Sequence, residues 1–345
     1  MSEPRSAATT TPWAEGRRVL VTGGAGFIGS HLAEALLERG STVAVIDDLS
    51  TGRLDNIAHL EGHPRFTAAI DSVTDEVVLD GMVRDCDLVF HLAAAVGVEL
   101  VVRDPVHAVE SNVLGTRAVL GACHRHRKKL LLTSTSEVYG KNERMPLDEG
   151  DDRVLGPTVK PRWSYACSKA AAEHLCLAYH RQHQLPVVIV RLFNTVGPRQ
   201  RGSYGMVIPR FVQQALAGEA LTVYGDGEQR RSFCHVDDTV RALLSLAGHP
   251  GALGEVFNVG STEEVSIREL AHRVLRLLRP EVEPSAAIRR VPYEEAYGPG
   301  FEDMRRRLPA IDKIAALTGW APSVPLEDTL RRVAEYQRGE GGERR

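Results

Sequence analysis

A tyrosine and a lysine four residues apart, Tyr165 and Lys169, are the most chemically suggestive pair in this chain. On a helix this spacing places the two side chains on one face, one turn apart. A phenol with its ordinary pKa of about 10 is a poor base at neutral pH, but a nearby ammonium group favours its ionised form. The pair therefore indicates proton transfer by Tyr165, whereas an isolated match would equally describe two surface residues of a helix.

Three further polar residues, Thr135, Ser136 and Glu137, follow an apolar run over residues 130–133. The run predicts a buried strand, and a parallel sheet binds its ligands at the carboxyl ends of its strands. Hydroxyl groups at that edge can steady a substrate hydroxyl while it is oxidised, and a carboxylate can position water or transfer a proton. We expect these three residues to join Tyr165 and Lys169 in one catalytic group.

A glycine-rich turn near the beginning of the chain, with glycines at positions 23, 26 and 29, indicates a nucleotide site. An apolar run over 18–22 precedes the turn, helical periodicity follows over 26–39, and a second apolar run covers 42–46. In such a βαβ unit the turn lets the backbone approach a pyrophosphate, and the helix N-terminus supplies amide donors. An ordinary glycine-rich turn is the alternative, which the flanking strand and helix disfavour.

Asp47 ends the second apolar run and is the acid expected about 20 residues after such a turn. A carboxylate there accepts hydrogen bonds from ribose hydroxyls and repels a 2′-phosphate, so we expect NAD rather than NADP, although Arg53 could tolerate that phosphate. Asp71, at the end of the next predicted strand, is expected to hold the adenine amino group. The other expected cofactor residues are Gly23, Gly26, Phe27, Ile28, Gly29, Leu92, Ala93, Ala94 and Asn112, together with Tyr165 and Lys169.

Further apolar runs over 88–92 and 187–190 alternate with helical patterns. This alternation predicts an α/β fold with a Rossmann-type doubly wound parallel sheet over residues 17–194, to which segments around 230–262 return. More frequent glycine, proline and arginine after residue 194 indicate a smaller C-terminal substrate-binding lobe over 195–335. Residues 1–16 are expected to form a disordered leader, and residues 336–345 a flexible tail.

Composition limits the classes of partner. The chain has 345 residues and a formal net charge of -3, which provides no polybasic field for nucleic acid or for a membrane surface. Its beginning lacks the apolar stretch of a signal peptide or membrane span. Five cysteines without paired ligand spacing predict no metal site and suggest reduced thiols in a cytoplasmic protein.

Several stretches occur in the order typical of one family. They are TGGAGFIGSH, HLAAAV, STSEVYG, YACSK, RLFNTVGPR, RRSFCHVDD and RRRLPAI followed by TGW. From Arg18 to about Glu335 the chain resembles an extended short-chain dehydrogenase/reductase of the NAD-dependent nucleotide-sugar epimerase, dehydratase and decarboxylase group. The resemblance implies that Tyr165 is the acid/base, that Thr135 is its hydroxyl partner, and that Lys169 lowers its pKa and binds the nicotinamide ribose.

The same resemblance implies substrate contacts at Asn194, Arg231 and Arg307, of which the first two would bind the diphosphate of a nucleotide sugar. A dianionic diphosphate requires buried cations, whereas a solvated surface position is the alternative for these arginines. Relatives also pair two helices from each subunit, which implies a homodimer through the helical stretches 102–123 and 169–182. The alternative is that these helix faces only cover the sheet.

Members of this group begin by oxidising a sugar hydroxyl, commonly at C4, and differ in the reaction that the resulting ketone undergoes. The order Thr135, Ser136, Glu137 and the stretch Gly156-Pro157 to Lys160-Pro161-Arg162-Trp163 resemble UDP-glucuronate decarboxylases, which form UDP-xylose. Ser136 and Arg307 would then hold the substrate carboxylate. A UDP-hexose 4-epimerase is the second hypothesis, an NDP-sugar 4,6-dehydratase the third, and a non-catalytic NAD-binding protein the last.

Overall fold

The computed structural model describes residues 12–96, 104–202, 206–297 and 302–342. The described strands are β1 (Arg18–Thr22), β2 (Thr42–Ile46), β3 (Phe66–Ala69), β4 (Leu88–His91), β5 (Lys129–Thr135), β6 (Val187–Leu192), β7 (Thr195–Val196), β8 (Leu221–Tyr224), β9 (Arg230–Ser232), β10 (Cys234–His235), β11 (Val256–Val259), β12 (Glu264–Ser266), β13 (Ile288–Val291) and β14 (Arg306–Arg307). The described α-helices are α1 (Phe27–Glu38), α2 (Glu76–Arg84), α3 (Pro105–Arg125), α4 (Ser164–His183), α5 (Val207–Leu216), α6 (Val236–Gly248), α7 (Ile267–Leu278), α8 (Tyr293–Tyr297), α9 (Asp312–Thr318) and α10 (Leu326–Gly342).

Seven parallel strands form the central sheet in the order β11-β6-β5-β4-β1-β2-β3. The chain builds outward from β1 to β3 on one side and then from β4 to β11 on the other. The order therefore reverses between β1 and β4, which is where a doubly wound sheet opens a ligand crevice at its carboxyl edge. The predicted α/β Rossmann-type fold is confirmed.

Helices cover both faces of this sheet, which explains why its strands are apolar without interruption. Successive residues of β1 alternate between the faces: Val19 and Val21 pack with α1 and α6, whereas Leu20 packs with α2, α3 and α4. A third apolar core lies in the C-terminal part, where Phe211 of α5 and Val274 of α7 pack with α10.

The chain crosses between these parts more than once. Strand β11 returns to the edge of the central sheet beside β6. Leu243 of α6, Ile314 of α9 and Trp320 also belong to the core of the central sheet. Strand β11 and helix α6 lie in the segments around 230–262 that the sequence predicts to return to the sheet, and α9 packs there as well.

The described structure includes part of the expected leader and part of the expected tail. Residues 1–11 of the expected leader lie outside the described residues, but Ala14 is fully buried and the Trp13 indole N–H donates to the Leu244 carbonyl at 3.0 Å. At the other end α10 continues through residue 342, and residues 343–345 lie outside the described part. Of the described helices, none combines the length and apolar character that crossing a bilayer requires.

Candidate active site

The turn between β1 and α1 brings backbone atoms so close together that Gly23 and Gly29 leave no room for a side chain. Gly23 has a φ of +71°, and a Cβ there would stand 2.8 Å from the Ala93 backbone nitrogen. At Gly29 a Cβ would lie 2.1 Å from the Gly23 carbonyl oxygen. Gly26 is the N-cap of α1, so no side chain caps the first turn of that helix. This uncapped, side-chain-free cradle fits the pyrophosphate of a dinucleotide.

Asp47 lies against this turn at the end of β2. It is 7% exposed, and its carboxylate oxygens accept hydrogen bonds from the backbone N–H groups of Ala25 and Leu49, each at 2.9 Å. Burial raises its pKa, while these amide hydrogen bonds oppose the rise. The Asp71 backbone N–H donates to the Asp47 carbonyl at 3.1 Å, so both predicted acids stand at the same end of the sheet.

Asn112 is the predicted cofactor residue that the structure does not place on the cleft wall. Its side chain is 1% exposed, accepts from the Ala95 N–H at 3.0 Å and donates to the Ser168 hydroxyl at 3.1 Å. It therefore ties the segment after β4 to α4 from behind. Its contact with the cofactor stays a prediction.

Tyr165 and Lys169 lie in the first two turns of α4, which begins directly after a 3₁₀ turn over Pro161–Trp163. Both are buried, and the helix brings them to the carboxyl end of β5. Thr135 ends β5, accepts a hydrogen bond from the Glu137 backbone N–H at 3.2 Å and is hydrogen-bonded to the Tyr165 hydroxyl. The hydroxyl side chain predicted at the carboxyl end of β5 therefore contacts the predicted tyrosine.

Burial has the largest effect on the electrostatics of this pair. Burial raises the pKa of Tyr165, and the Glu137 carboxylate raises it further, whereas Thr135 and the guanidinium groups of Arg307 and Arg162 act in the opposite direction. Burial also lowers the pKa of Lys169 to about 8. In the protein alone Tyr165 is therefore a protonated phenol, because desolvation disfavours the phenolate by more than its neighbours favour it.

Glu137 is held by two arginines, one at each carboxylate oxygen. Oε1 lies 2.6 Å from an Arg307 nitrogen and Oε2 lies 2.6 Å from an Arg162 nitrogen. Burial alone would raise the pKa of Glu137, but Arg162 and Arg307 outweigh it and bring this pKa down to about 2. Glu137 is consequently an anion at neutral pH, with no proton to donate.

A second arginine–carboxylate pair stands beside the first. Arg231, which is 6% exposed, donates to Asp303 Oδ2 at 3.0 Å. The parallel register of β9 and β14 places Arg231 opposite Arg307. Arg307 in turn donates to the Asn194 side-chain oxygen at 2.9 Å. The three predicted substrate residues are therefore brought together by strand pairing and one hydrogen bond.

Two residues of this cluster are absent from the site predicted by sequence. Arg162 is buried and also approaches Asp303 at 4.0 Å. It lies three residues before Tyr165, in a stretch that resembles decarboxylases. That resemblance gave no reason to single out this arginine. Asp303 has no sequence signal, because nothing in the chain near it indicates which arginines it will neutralise.

A cleft of about 750 Å³ encloses the glycine turn at one end and the arginine cluster at the other. Its walls include these predicted residues: Gly23, Gly26, Phe27, Ile28, Gly29, Asp47, Asp71, Leu92, Ala93, Ala94, Thr135, Ser136, Glu137, Tyr165, Lys169, Asn194, Arg231 and Arg307. The catalytic pair lies between the two ends. The cleft can therefore hold a dinucleotide and a second anionic ligand with their reactive parts at Tyr165.

Comparison with known proteins agrees with this geometry. Among curated relatives, the UDP-N-acetyl-alpha-D-glucosaminuronate decarboxylase of Bacillus cytotoxicus is 42% identical over 93% of this chain and 98% of its own length. UDP-glucuronic acid decarboxylase 6 of Arabidopsis thaliana is 39% identical over 92% of this chain and 88% of its own. A solved structure, UDP-glucuronic acid 4-epimerase from Bacillus cereus in complex with UDP-glucuronic acid and NAD, superposes with a TM-score of 0.83 at 31% identity, covering 94% of this chain and 99% of that one.

The match extends to a family model. Residues 19–260 match the model described as NAD dependent epimerase/dehydratase family, a range that contains the glycine turn, Thr135, Tyr165 and Lys169. NAD is the cofactor of that family, and the cradle at Gly23 and Gly29 fits it. Because the model matches most of the chain and the relatives cover nearly all of it, this chain belongs to the NAD dependent epimerase/dehydratase family.

Proposed function

We propose that this protein decarboxylates a UDP-linked uronic acid, with UDP-glucuronate as substrate and UDP-xylose as product. The observation that carries the proposal is the buried charge beside Tyr165. In the described ion pairs of this cluster, Arg162, Arg231 and Arg307 share two carboxylates, those of Glu137 and Asp303. The cluster thus has a surplus positive charge where an acidic sugar would lie, and the relatives named above as decarboxylases act on uronates by name.

The proposed chemistry begins at the C4 hydroxyl of the sugar. Once bound NAD and substrate have shifted Tyr165 to its phenolate, this residue, steadied by Thr135, accepts the hydroxyl proton; NAD, when bound, supplies the hydride acceptor and later the hydride donor. The C4 ketone is β to the C6 carboxylate. When the C5–C6 bond breaks, CO₂ leaves and the electron pair passes to the C4 oxygen, where the hydroxyls of Tyr165 and Thr135 stabilise the negative charge. A proton from solvent water then adds at C5, C4 takes back the hydride, and Tyr165 returns its proton to the C4 oxygen.

We assign the anion-binding role to the arginines and not to Glu137. Arg231 would neutralise the diphosphate together with Asn194, and Arg307 with Ser136 would hold the C6 carboxylate. The Ser136 hydroxyl lies 3.4 Å from an Arg307 nitrogen, which supports the pairing. Glu137, being ionised, serves as the counter-ion that keeps these guanidinium groups in place.

The 2-acetamido analogue is the second candidate substrate, because the Bacillus cytotoxicus relative is named for UDP-N-acetylglucosaminuronate. The 4-epimerase hypothesis is supported by the Bacillus cereus structure with UDP-glucuronic acid. In an epimerase the ketone would turn and receive hydride on its other face, with the carboxylate retained.

One experiment separates these candidates. The NAD-loaded protein is given UDP-glucuronate, UDP-N-acetylglucosaminuronate and UDP-glucose in parallel, and the products are followed by CO₂ release and by NMR of the sugar. We expect CO₂ and UDP-xylose from UDP-glucuronate. CO₂ from the acetamido sugar alone would move the assignment to that substrate. UDP-galacturonate or UDP-galactose without CO₂ would establish an epimerase instead.

We further propose a homodimer in the cytoplasm. On α3 two valines are unusually exposed for apolar residues, with Val106 at 66% and Val109 at 36%, which favours a covering partner. All five cysteines are unpaired, as expected in a reducing compartment. Light scattering on the purified protein and fractionation of cells that produce it test the two statements; a monomer, or recovery outside the cytoplasm, would contradict them.

A further inference from the structure

Glu137 receives two guanidinium groups that differ in burial and in packing. Arg162 lies in the 3₁₀ turn over Pro161–Trp163, is 6% exposed, and its guanidinium carbon stands 5.4 Å from the centre of the Trp163 ring. Trp163 is itself buried, and its indole N–H donates to Glu302 at 3.1 Å. Packing and the ion pair to Glu137 therefore fix Arg162 in one position.

Arg307 is the less buried of the two. It belongs to the two-residue strand β14, and its side chain is 13% exposed. One of its terminal nitrogens is shared between Glu137 and Ser136, the other donates to Asn194, and its buried Nε has no hydrogen-bond partner among the described residues. Arg307 thus has donor capacity left for a ligand, and turning toward that ligand would weaken its contact with Glu137.

We propose that Arg162 is a positioning residue for acidic substrates: it remains on Glu137 and keeps that carboxylate neutralised while Arg307 moves to the C6 carboxylate of the sugar. This inference rests on the proposed function, since only a uronate offers Arg307 such an anion. Without Arg162, Glu137 would be left as a buried, unpaired charge each time Arg307 left it, a situation that costs several kcal/mol in proteins. Arg307 would then stay on Glu137.

Four charged or titratable groups face Glu137, and two of them contact it directly. Arg162 comes from the turn before α4, Arg307 from β14, Arg231 from β9, and Tyr165 from α4 itself. Arg231 acts on Glu137 only through space, because its own ion pair is with Asp303. Arg162 and Arg307 are therefore the two direct partners in the described ion pairs of Glu137. When one of them leaves Glu137, the other must neutralise the carboxylate.

The test is a binding comparison on the NAD-loaded protein, in a Tyr165→Phe background that suppresses turnover of UDP-glucuronate, with Arg162→Gln, the conservative Arg162→Lys, and the exposed control Arg84→Gln. Calorimetry measures the dissociation constants of UDP-glucuronate and UDP-glucose. We expect Arg162→Gln to weaken UDP-glucuronate roughly 10- to 100-fold and UDP-glucose by less than about 3-fold, since a hydrogen bond to a charged group is worth about 1.5–3 kcal/mol. Arg162→Lys should recover part of the loss, and Arg84→Gln should change neither.

A double-variant cycle shows whether Arg162 acts through Glu137. In a Glu137→Gln background the carboxylate no longer needs a counter-ion, so adding Arg162→Gln should cost no further affinity for UDP-glucuronate. A full additional loss would mean that Arg162 touches the substrate directly and would overturn the proposal. Equal weakening of both sugars by Arg162→Gln would overturn it as well, since that pattern indicates a purely structural defect.

A titration independent of turnover separates this inference from the proposed function. With ¹³C-labelled glutamate carboxyl groups and Glu137→Gln for assignment, Arg162→Gln should move the Glu137 titration upward by roughly one to three pH units. If UDP-glucuronate binds but yields no CO₂, the proposed function fails while the binding ratio and this titration still decide the role of Arg162. An unmoved Glu137 titration would refute that role even in an active decarboxylase.

Discussion

At the residue scale, burial dominates the behaviour of the catalytic pair. Tyr165 and Lys169 are both buried, with 9% and 3% exposure. Desolvation disfavours the charged form of each, so it raises the pKa of the phenol and lowers that of the amine. The pair can exchange a proton with a substrate only when bound ligands change this environment.

Removal of the Tyr165 hydroxyl should abolish most of the turnover without unfolding the protein. Tyr165→Phe deletes the group that holds the proton but keeps the ring that packs with Ala95 and Ala108. We expect CO₂ release to fall roughly 10²- to 10⁴-fold, the usual contribution of a general acid/base, with an unchanged thermal midpoint. Turnover within about threefold of the wild type would contradict the assignment.

Lys169 should make the stability of the NAD-free protein depend on pH in a defined direction. Its pKa is about 8 in the folded protein against an ordinary value of 10.5, so the folded state resists protonation. The penalty is complete below pH 8 and disappears as the pH rises from 8 to 10.5. Lys169→Met should therefore be more stable than the wild type by about 1–3 kcal/mol at about pH 7 and lose that advantage near pH ~10.5.

Urea unfolding of both proteins at several pH values measures this difference. The comparison cancels the other titrating groups, because both proteins contain them. A stability difference that does not shrink between pH 8 and 10.5, or a wild type that is the more stable protein at neutral pH, would show that the lysine is not desolvated in the folded state.

At the element scale, the turn between β1 and α1 depends on close backbone approach. Gly29 lies in the first turn of α1, where its Cα faces the Gly23 carbonyl. Since that contact is with backbone, a side chain there must displace the turn itself. The same helix surface is the part that a pyrophosphate would contact, so packing and cofactor binding share one geometric requirement.

A matched pair of glycine substitutions tests that requirement. Gly29→Ala should weaken NAD binding at least tenfold, because the new methyl group would overlap the Gly23 oxygen. Gly81→Ala, in α2, adds a methyl group with no neighbouring atom within 4 Å, so it should leave NAD binding unchanged and stabilise the protein by up to about 1 kcal/mol through helix propensity. Calorimetric NAD titration and urea unfolding measure both; equal NAD affinities would refute the geometric account.

At the scale of the whole molecule, the substrate site is assembled from distant parts of the chain. Glu137 follows β5, Arg231 belongs to β9 and Arg307 to β14, yet their side chains share one ion-pair cluster. Three apolar cores, one on each face of the central sheet and one among α5, α7 and α10, hold these parts in register. The site therefore depends on the folding of all three cores.

The proposed homodimer gives a prediction at this scale. Val109→Asp places a charge on the exposed face of α3 and should convert a dimer into a monomer, because a desolvated carboxylate would oppose association. Val77→Asp is the control: it is 85% exposed on α2, a helix outside the proposed interface. Light scattering at matched concentrations reads the mass, and a dimer that persists in Val109→Asp would place the interface elsewhere.

Local patterns in the sequence were sufficient for the features that depend on neighbouring residues. The βαβ unit with its glycines, the strand before Thr135, and the one-turn spacing of Tyr165 and Lys169 each follow from residue type and periodicity, and the structure contains all of them. Family resemblance added Arg231 and Arg307, whose contacts span the chain.

Only the tertiary structure decided which charges meet. The β9–β14 register sets Arg231 beside Arg307, and the turn before α4 brings Arg162 to Glu137. It also joined Asn112 to Ser168 of α4 and packed Trp13 onto the core. The physical reason is that ion pairing, desolvation and the choice of which helix face is buried depend on distances between residues far apart in sequence. Those distances are fixed only after the apolar cores have packed.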